Sequence, residues 1–247
     1  MAGNWKMYKT AAETTAFFEK FAPLVEQSGH ADAVICPTFV NIPAAVAATQ
    51  GTRIEIGGQN LYWKNEGAFT GEISGPMLKA AGARWVIVGH SERRQYHGED
   101  DALINAKVKA AYKHGLVPIM CIGEVKEERE AGIQEQVTLG QLDGGLADIP
   151  ADQAKTIVIA YEPVWAIGTG LTATPQDAQD MCGEIRRRLS ELYSQEVADA
   201  IRIQYGGSVK AANAAEIMAG PDVDGALIGG ASLDADEFVA ICKYRLS

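Results

Sequence analysis

The hydrophobic residues of this 247-residue chain form short, continuous runs separated by amphipathic segments. Seven runs of apolar and β-branched residues are predicted as strands, at residues 33–36, 54–57, 85–88, 117–122, 156–160, 201–205 and 226–228. A weaker run at residues 2–6 is predicted as an eighth strand. The runs are apolar almost throughout instead of alternating with polar residues, which is typical of strands that are buried on both faces.

The amphipathic segments between these runs are predicted as helices, for example at residues 14–26, 102–114 and 175–193. The third of these follows Thr174, a capping residue, and begins with Pro175, which suits the first position of a helix. Strand and helix alternate through the chain, which predicts an α/β protein with a closed (β/α)8 barrel as a single domain over residues 1–247. An open doubly wound sheet is the alternative, but its Gly-x-Gly-x-x-Gly turn does not follow the first strand.

Composition and charge narrow the classes of partner. The hydrophobic fraction of 47% and the charged fraction of 22% exclude disordered and collagen-like classes. The formal net charge of −10 disfavours nucleic acids and anionic membrane surfaces as partners, and a small anionic substrate would need local cations.

The cysteines and the N-terminal residues bear on cellular location. The four cysteines form no Cys-x-x-Cys pair, so we expect buried, reduced thiols and no metal site. No apolar run reaches the roughly 18 residues of a membrane span, and the first ten residues contain no run typical of a signal peptide. A soluble, cytoplasmic protein is therefore expected.

Polar residues and glycines follow most of the predicted strands. In a (β/α)8 barrel the active site forms at the carboxyl ends of the strands, so these residues are expected to lie around one site. They are Asn4, Lys6, Gln59, Asn60, His90, Ser91, Glu92, Arg93, Glu124, Glu162, Gly206, Gly207, Ser208, Gly229 and Gly230.

Three of these residues could carry chemistry. Lys6 could supply the local cation that an anionic substrate needs, although a surface lysine is the simpler interpretation. His90 precedes Ser91 and Glu92, which can begin a helix, and the positive end of that helix would lower the pKa of His90 and favour the neutral ring. A histidine hydrogen-bonded within a loop is the alternative. Glu162 ends an apolar strand and is either paired in a salt bridge or a catalytic base.

The segment after Glu162 is predicted as a lid that excludes water when it closes, with an ordinary strand–helix connector as the alternative. Its residues are Pro163, Val164, Trp165, Ala166, Ile167, Gly168, Thr169, Gly170, Leu171, Thr172 and Ala173. Glycine pairs follow the last two strands, at Gly206-Gly207 and Gly229-Gly230. These are the strands after which such barrels bind phosphate, although either pair alone could be a tight turn.

Several segments together make the chain resemble the triosephosphate isomerase family, in which they occur in the same order and spacing. They are GNWKM at residues 3–7, QN at 59–60, GAFTGEIS at 67–74, GHSERR at 89–94, CIGE at 121–124, AYEPVWAIGTG at 160–170, YGGSV at 205–209 and GGAS at 229–232. The segment at residues 160–170 is the most specific. The resemblance covers nearly the whole chain and implies a TIM barrel.

The resemblance implies the interconversion of dihydroxyacetone phosphate and D-glyceraldehyde 3-phosphate through an enediolate, without a metal or organic cofactor. This family is itself the standard illustration of a glutamate base beside a neutral histidine under a closing loop. Glu162 would transfer the carbon-bound proton, His90 would polarise the carbonyl and move protons between the oxygens, and Lys6 would stabilise negative charge. The residues with supporting roles would be Asn4 beside Lys6, Glu92 in the surrounding network, and Gly168, Ser208, Gly229 and Gly230 as backbone donors to the phosphate.

The resemblance also implies a homodimer and a place in glycolysis and gluconeogenesis. Gln59, Asn60 and Thr70 would belong to an arm that packs into the partner's active site, with a long surface loop as the alternative. The chain departs from the family pattern in three ways. Few residues precede Gly3, which predicts a short first strand and a less stable barrel. Leu171 replaces a common basic residue at the lid hinge, and His97 replaces a frequent phenylalanine near the interface.

Two rival functions remain open at this stage. A phosphate-binding lyase or synthase barrel would fit the two glycine pairs, but such families do not combine Asn-Trp-Lys with Tyr-Glu-Pro-Val-Trp. A barrel that binds but no longer catalyses predicts loss of the chemical residues, whereas Lys6, His90 and Glu162 are all present.

Overall fold

The computed structural model describes residues 1–27, 29, 31–167 and 173–245. Eight parallel strands follow one another in chain order around a closed barrel. They are β1 (Ala2–Asn4), β2 (Val34–Cys36), β3 (Glu55–Gly58), β4 (Trp85–Val88), β5 (Val117–Ile122), β6 (Val158–Tyr161), β7 (Arg202–Tyr205) and β8 (Gly225–Ile228). The barrel closes where β8 pairs with β1, with Ala2 opposite Leu227 and Gly3 opposite Ile228. The predicted (β/α)8 barrel is therefore confirmed.

Helices connect the strands around the outside of the barrel. They are α1 (Ala11–Val25), α2 (Ile42–Ala48), α3 (Gly75–Ala80), α4 (Ser91–His97), α5 (Asp101–Lys113), α6 (Lys126–Glu130), α7 (Gln134–Leu146), α8 (Ala151–Ala154), α9 (Pro175–Leu192), α10 (Gln195–Ala200), α11 (Ala211–Ile217) and α12 (Ala235–Cys242). Short 3₁₀ turns lie at Phe39–Asn41, Val164–Ala166 and Gly230–Leu233.

The strands are apolar throughout because their alternate residues fill two different layers. In β5, Ile119 and Cys121 belong to the cluster inside the barrel, whereas Met120 and Ile122 pack between the barrel and its helices. The interior cluster consists of Ala2, Val34, Cys36, Ile87, Ile119, Cys121, Val158, Ala160 and Leu227. Space beside this cluster is limited. A Cβ atom on Gly57 of β3 would lie 2.7 Å from the Sγ of Cys36, so a glycine is needed there.

Capping residues fix where two of the longest helices begin. In α1, Thr10 accepts a hydrogen bond from the backbone N–H of Glu13, whose carboxylate accepts one from the backbone N–H of Thr10. Thr174 and Asp177 make the same reciprocal pair at the start of α9, as the Thr174-Pro175 sequence predicted. Each cap contributes about 1 kcal/mol to helix stability. The cap at Thr174 also anchors the chain where the predicted lid ends.

The structure also bears on the predictions about the cysteines, metal binding and membrane spans. All four cysteines are buried free thiols, as the sequence predicted. Within the described residues, no three His, Cys, Asp or Glu side chains are grouped so that they could hold a metal ion. Of the helices that the structure describes, none combines the length and the apolar character needed to cross a membrane.

Candidate active site

One cavity of about 640 Å³ opens at the carboxyl ends of the strands. Residues that follow β1, β4, β6, β7 and β8 line it together, so chain segments far apart in sequence meet there. The predicted site residues among its lining are Asn4, Lys6, His90, Glu162, Gly206, Gly207, Ser208, Gly229 and Gly230. Lys210 and Glu237 also line the cavity and were not predicted.

Lys6 places a cation in this cavity through an unusual backbone conformation. Its Nζ lies 2.6 Å from Oε1 of Glu92, which therefore reaches the site through Lys6 and does not line the cavity itself. The φ angle of Lys6 is +50°, in the left-handed region, where a residue with a side chain is strained by about 1–3 kcal/mol. The backbone N–H of Lys6 donates to Oδ1 of Asn4 over 3.0 Å, so Asn4 supports this bend.

Glu162 is 2% exposed, and both of its carboxylate oxygens are hydrogen-bonded. Oε1 lies 2.9 Å from Nε2 of His90, and Oε2 accepts a hydrogen bond of 3.0 Å from the backbone N–H of Ser91. Burial raises the pKa of Glu162, but its interaction with His90 and the hydrogen bonds it accepts outweigh burial and hold the pKa below its usual range. The buried Cys121, whose own pKa is raised by burial and by Glu162, remains a thiol and donates to this carboxylate. The cavity therefore contains an ionised base.

His90 caps the N-terminus of α4, as its position before Ser91 and Glu92 predicted. Its Nδ1 accepts a hydrogen bond from the backbone N–H of Glu92 over 3.2 Å. An Nδ1 that accepts this bond carries no proton, so we assign the neutral ring with its hydrogen on Nε2, where Glu162 accepts it.

The pKa of His90 is set by two opposing influences. Burial lowers the pKa, but the negative charges of Glu162 and Glu92 raise it, and the net direction is upward. This direction differs from the predicted lowering. The prediction considered the helix N-terminus and omitted the carboxylate that the fold brings from β6 to the ring.

Two glycines make room for Glu162 between neighbouring strand ends. Gly123 follows β5 with a φ of +155°, and a Cβ atom there would lie 1.8 Å from the carbonyl oxygen of Glu162. A Cβ atom on Gly206, which follows β7, would lie 2.8 Å from Cγ of Glu162. Gly206 was predicted to lie either in a phosphate-binding turn or in an ordinary tight turn, and the structure also gives it this role in packing.

The start of the predicted lid is bonded to the end of β5 by Glu124, which is completely buried. Oε1 of Glu124 accepts hydrogen bonds from Nε1 of Trp165, over 2.8 Å, and from the hydroxyl of Tyr161, over 3.1 Å. The backbone N–H of Val164 donates to the carbonyl of Glu124 over 3.1 Å. Glu124 was among the predicted strand-end residues, but nothing in its sequence context indicated these partners.

The predicted lid is only partly described. Pro163 precedes the 3₁₀ turn Val164–Ala166, Ile167 lines the cavity, and Ala173 is half-buried against the core. The other predicted lid residues lie outside the described residues, and they are Gly168, Thr169, Gly170, Leu171 and Thr172.

The residues predicted for the arm have different surroundings. Thr70 is exposed, as a contact for a partner requires. Gln59 and Asn60 instead contact residues of the same chain: Nε2 of Gln59 donates to the carbonyl of Lys6, and Oδ1 of Asn60 accepts from Nζ of Lys107. Periodicity and motif spacing carry no information on such contacts between distant segments. His97 is the exposed last residue of α4.

Comparisons with known proteins cover nearly the whole chain. A sequence model of the triosephosphate isomerase family matches residues 1–245. The triosephosphate isomerase of Solibacter usitatus is 56% identical, and the match covers 99% of this chain and 98% of that protein. The triosephosphate isomerase of Streptomyces avermitilis is 54% identical, and the match covers 99% of this chain and 96% of that protein. The crystal structure of the triosephosphate isomerase from Bartonella henselae superposes with a TM-score of 0.91 at 40% identity, covering 100% of this chain and 98% of that one.

Proposed function

The chain belongs to the triosephosphate isomerase family, and from this premise we propose how its strand-end cavity interconverts dihydroxyacetone phosphate and D-glyceraldehyde 3-phosphate. Membership makes it an intramolecular aldose–ketose isomerase, whose reaction is a step of glycolysis. The observation that carries the proposed mechanism is the meeting of Glu162, His90 and Lys6 at one cavity.

Glu162 is the proposed base. Its carboxylate is ionised, because its pKa is held below the usual range. To reach a substrate carbon it must release the hydrogen bonds from His90 and Ser91. In a site from which water has been excluded, loss of these donors strengthens it as a base. It then removes the proton from the carbon next to the carbonyl and returns it to the neighbouring carbon.

His90 is the proposed electrophile. When Glu162 moves to the substrate, the hydrogen on Nε2 becomes available to the substrate's carbonyl oxygen. The departure of this carboxylate also removes the largest influence that raises the pKa of His90, and burial then favours the neutral ring. A neutral ring can donate to one oxygen of the enediolate and move the proton to the other.

Lys6 and the glycines are proposed to hold the anionic groups. The ammonium of Lys6 supplies positive charge in a protein of net charge −10, where the enediolate and phosphate need it. Ser208, Gly229 and Gly230 line the same cavity, and their backbone N–H groups are the proposed phosphate donors, with Gly168 proposed to join them from the lid. Closure of the lid would protect the enediolate from water and from loss of phosphate.

Removal of the Lys6 cation tests this assignment. Lys6→Met keeps most of the side chain's length but deletes the charge, so we expect kcat/KM to fall by about 10²–10³-fold, as when one preorganised group that stabilises the transition state is lost. The matched control is Lys113→Met, at an exposed lysine on α5, which should retain activity. A Lys6→Met enzyme within a few-fold of wild type would remove Lys6 from the mechanism.

The reaction itself is tested by a coupled assay. D-glyceraldehyde 3-phosphate is supplied, and dihydroxyacetone phosphate is trapped by a reductase that consumes NADH. We expect rapid loss of NADH absorbance that depends on the amount of this protein and requires no added metal or organic cofactor. No loss from a sample whose circular dichroism shows it to be folded would instead favour the barrel that binds without catalysing.

We also propose that the protein works in the cytoplasm as a homodimer. Large apolar side chains are exposed on the first four strand–helix units, which are neighbours in the closed barrel. They are Met7, Tyr8, Val40, Trp63, Met77 and Tyr96, with Met7 90% and Val40 82% exposed. Covering such a surface with a second copy removes apolar area from water. Sedimentation at micromolar concentration should give twice the 26.4 kDa of one chain, and a monomer there would contradict the proposal.

A further inference from the structure

Gln59 does not line the active-site cavity, but it is bonded to the backbone of a residue that does. Its Nε2 lies 2.7 Å from the carbonyl oxygen of Lys6 and 2.9 Å from the carbonyl oxygen of Cys36. An amide nitrogen has two hydrogens, so both are used. The carbonyl of Cys36 also accepts from the backbone N–H of Trp5 over 3.1 Å, so Gln59 joins the place where the end of β1 is held against β2.

The hydrogen bond from Gln59 helps to hold Lys6 in its strained backbone conformation. A left-handed φ on a residue with a side chain persists only where the surroundings hold it there. The peptide group before Lys6 is held by Asn4, which accepts from the backbone N–H, and the peptide group after it is held by Gln59, which donates to the carbonyl. If the Gln59 contact is lost, the backbone can relax toward negative φ, and Nζ then leaves its place beside Glu92.

We propose that Gln59 is a positioning residue for the isomerisation, acting through Lys6; the inference rests on the proposed role of Lys6 as the cation of the site. A lysine ammonium sits on a flexible four-carbon stem, so its location depends on how firmly the base of that stem is held. Accurate placement matters most where negative charge develops during the reaction, and less for holding the phosphate of the bound substrate. Gln59 therefore acts on kcat more than on KM.

The first test is Gln59→Met, which removes both donors and keeps an unbranched side chain of similar length. We expect kcat to fall by about 10- to 100-fold, the loss that a displacement of about 1 Å produces, and KM to change by less than about threefold. The matched control is Gln179→Met. Gln179 also makes two hydrogen bonds, one donated to Oδ2 of Asp222 and one accepted from its backbone N–H, and it lies outside the cavity. An unchanged kcat in Gln59→Met would overturn the proposal.

A double-mutant cycle separates positioning from general destabilisation. If Gln59 acts through Lys6, the double variant Lys6→Met with Gln59→Met has the same kcat as Lys6→Met alone, because there is no longer an ammonium to position. If the two losses multiply, Gln59 acts by another route and the proposal is wrong. The kcat of the single variant Lys6→Met tests the proposed role of Lys6 independently of Gln59. Wild-type turnover there contradicts the proposed role of Lys6 itself, whereas a deficient Lys6→Met with a normal Gln59→Met contradicts only the positioning role.

Folding and assembly are measured in parallel, since Gln59 precedes the predicted arm. We expect the thermal midpoint of Gln59→Met to lie within a few degrees of the wild type, and its sedimentation to be unchanged, while kcat falls. If this variant does not fold, Gln59→Asn replaces it throughout the cycle. Asn keeps the amide but is one methylene shorter, so it cannot reach both carbonyls, and an intermediate loss of kcat is expected. A folded Gln59→Asn enzyme with wild-type kcat would refute the inference.

Discussion

Replacing Glu162 with glutamine is expected to lower kcat by about 10²–10⁴-fold, the usual contribution of a positioned general base. The amide has nearly the shape of the carboxylate but cannot accept a proton from carbon. Its effect on folding should be modest, because one amide oxygen can still accept from either His90 or Ser91, although the amide nitrogen then faces the other donor. One such mismatch costs about 1–3 kcal/mol.

The measurement is a steady-state assay of Glu162→Gln beside a titration with inorganic phosphate as a competitive ligand. Phosphate should bind the variant about as well as the wild type, because its proposed donors, among them Ser208 and Gly229, are unaltered. Glu196→Gln serves as a control, since Glu196 pairs with Lys155 on the surface and lies outside the cavity. Turnover within tenfold of wild type in Glu162→Gln would show that another group removes the proton.

Replacing Lys107 with methionine is expected to lower the free energy of unfolding by about 3–5 kcal/mol, because the buried carboxylate of Glu99 loses its only fully buried cationic partner among the described residues. The side chains of Lys107 and Glu99 are each 2% exposed and lie 2.5 Å apart. Nζ of Lys107 also donates to Oδ1 of Asn60 over 2.7 Å, so that acceptor would lose its partner too. Arg93 would remain beside Glu99 at 2.6 Å, but its side chain is 26% exposed and contacts the same carboxylate oxygen.

Urea unfolding at one fixed protein concentration measures this effect, with Lys113→Met as the control. Lys113 is on the same helix, α5, but is exposed, so the same substitution there should stay within about 0.5 kcal/mol of wild type. A loss below about 1 kcal/mol in Lys107→Met would mean that Glu99 is adequately neutralised by Arg93 alone.

The destabilisation in Lys107→Met should also depend on pH. Burial raises the pKa of Glu99, but the bonds and charges of Lys107 and Arg93 outweigh burial and lower it below the 4.5 of an ordinary glutamate. A carboxyl group whose pKa is lowered by folding contributes stability above its unfolded pKa and loses it as the pH falls through its folded pKa. As the pH falls below 4.5 and through the folded pKa of Glu99, the carboxylate becomes protonated, and a neutral acid needs no cation. The difference between wild type and Lys107→Met should therefore shrink from pH 7 to pH 4.

The sequence predicted the strands and the polar strand ends well because both follow from local patterns. Burial on two faces makes each strand a continuous apolar run, and the observed strands overlap all eight predicted runs. Boundaries differ by a few residues. The first strand was predicted to reach Lys6 but ends at Asn4, because Lys6 adopts a left-handed backbone. The helix predicted from residue 14 begins at Ala11, because Thr10 and Glu13 form a cap that starts the helix there.

Contacts between distant segments could not be predicted from those patterns. Gln59 and Lys6 are 53 residues apart, and only the order of strands around the barrel makes them neighbours. The bonds of Glu124 to Tyr161 and Trp165 likewise join two strand ends. For His90, the missing element was the position of Glu162, whose charge reverses the predicted direction of the pKa shift. Local sequence thus indicates which residues are available, and the closed barrel determines what each one touches.

The pairing of β1 with β8 has a consequence for synthesis on the ribosome. β1 ends at Asn4 and β8 begins at Gly225, so at 5–20 residues per second the nascent chain waits roughly 10–45 s before the last strand emerges. Throughout this interval one edge of β1 has no partner strand, and the cavity walls formed by Gly229 and Gly230 do not yet exist. Activity therefore cannot precede the synthesis of β8 and the residues that follow it. A chain arrested before β8 presents an open sheet edge, which is a template for aggregation and a target for chaperones.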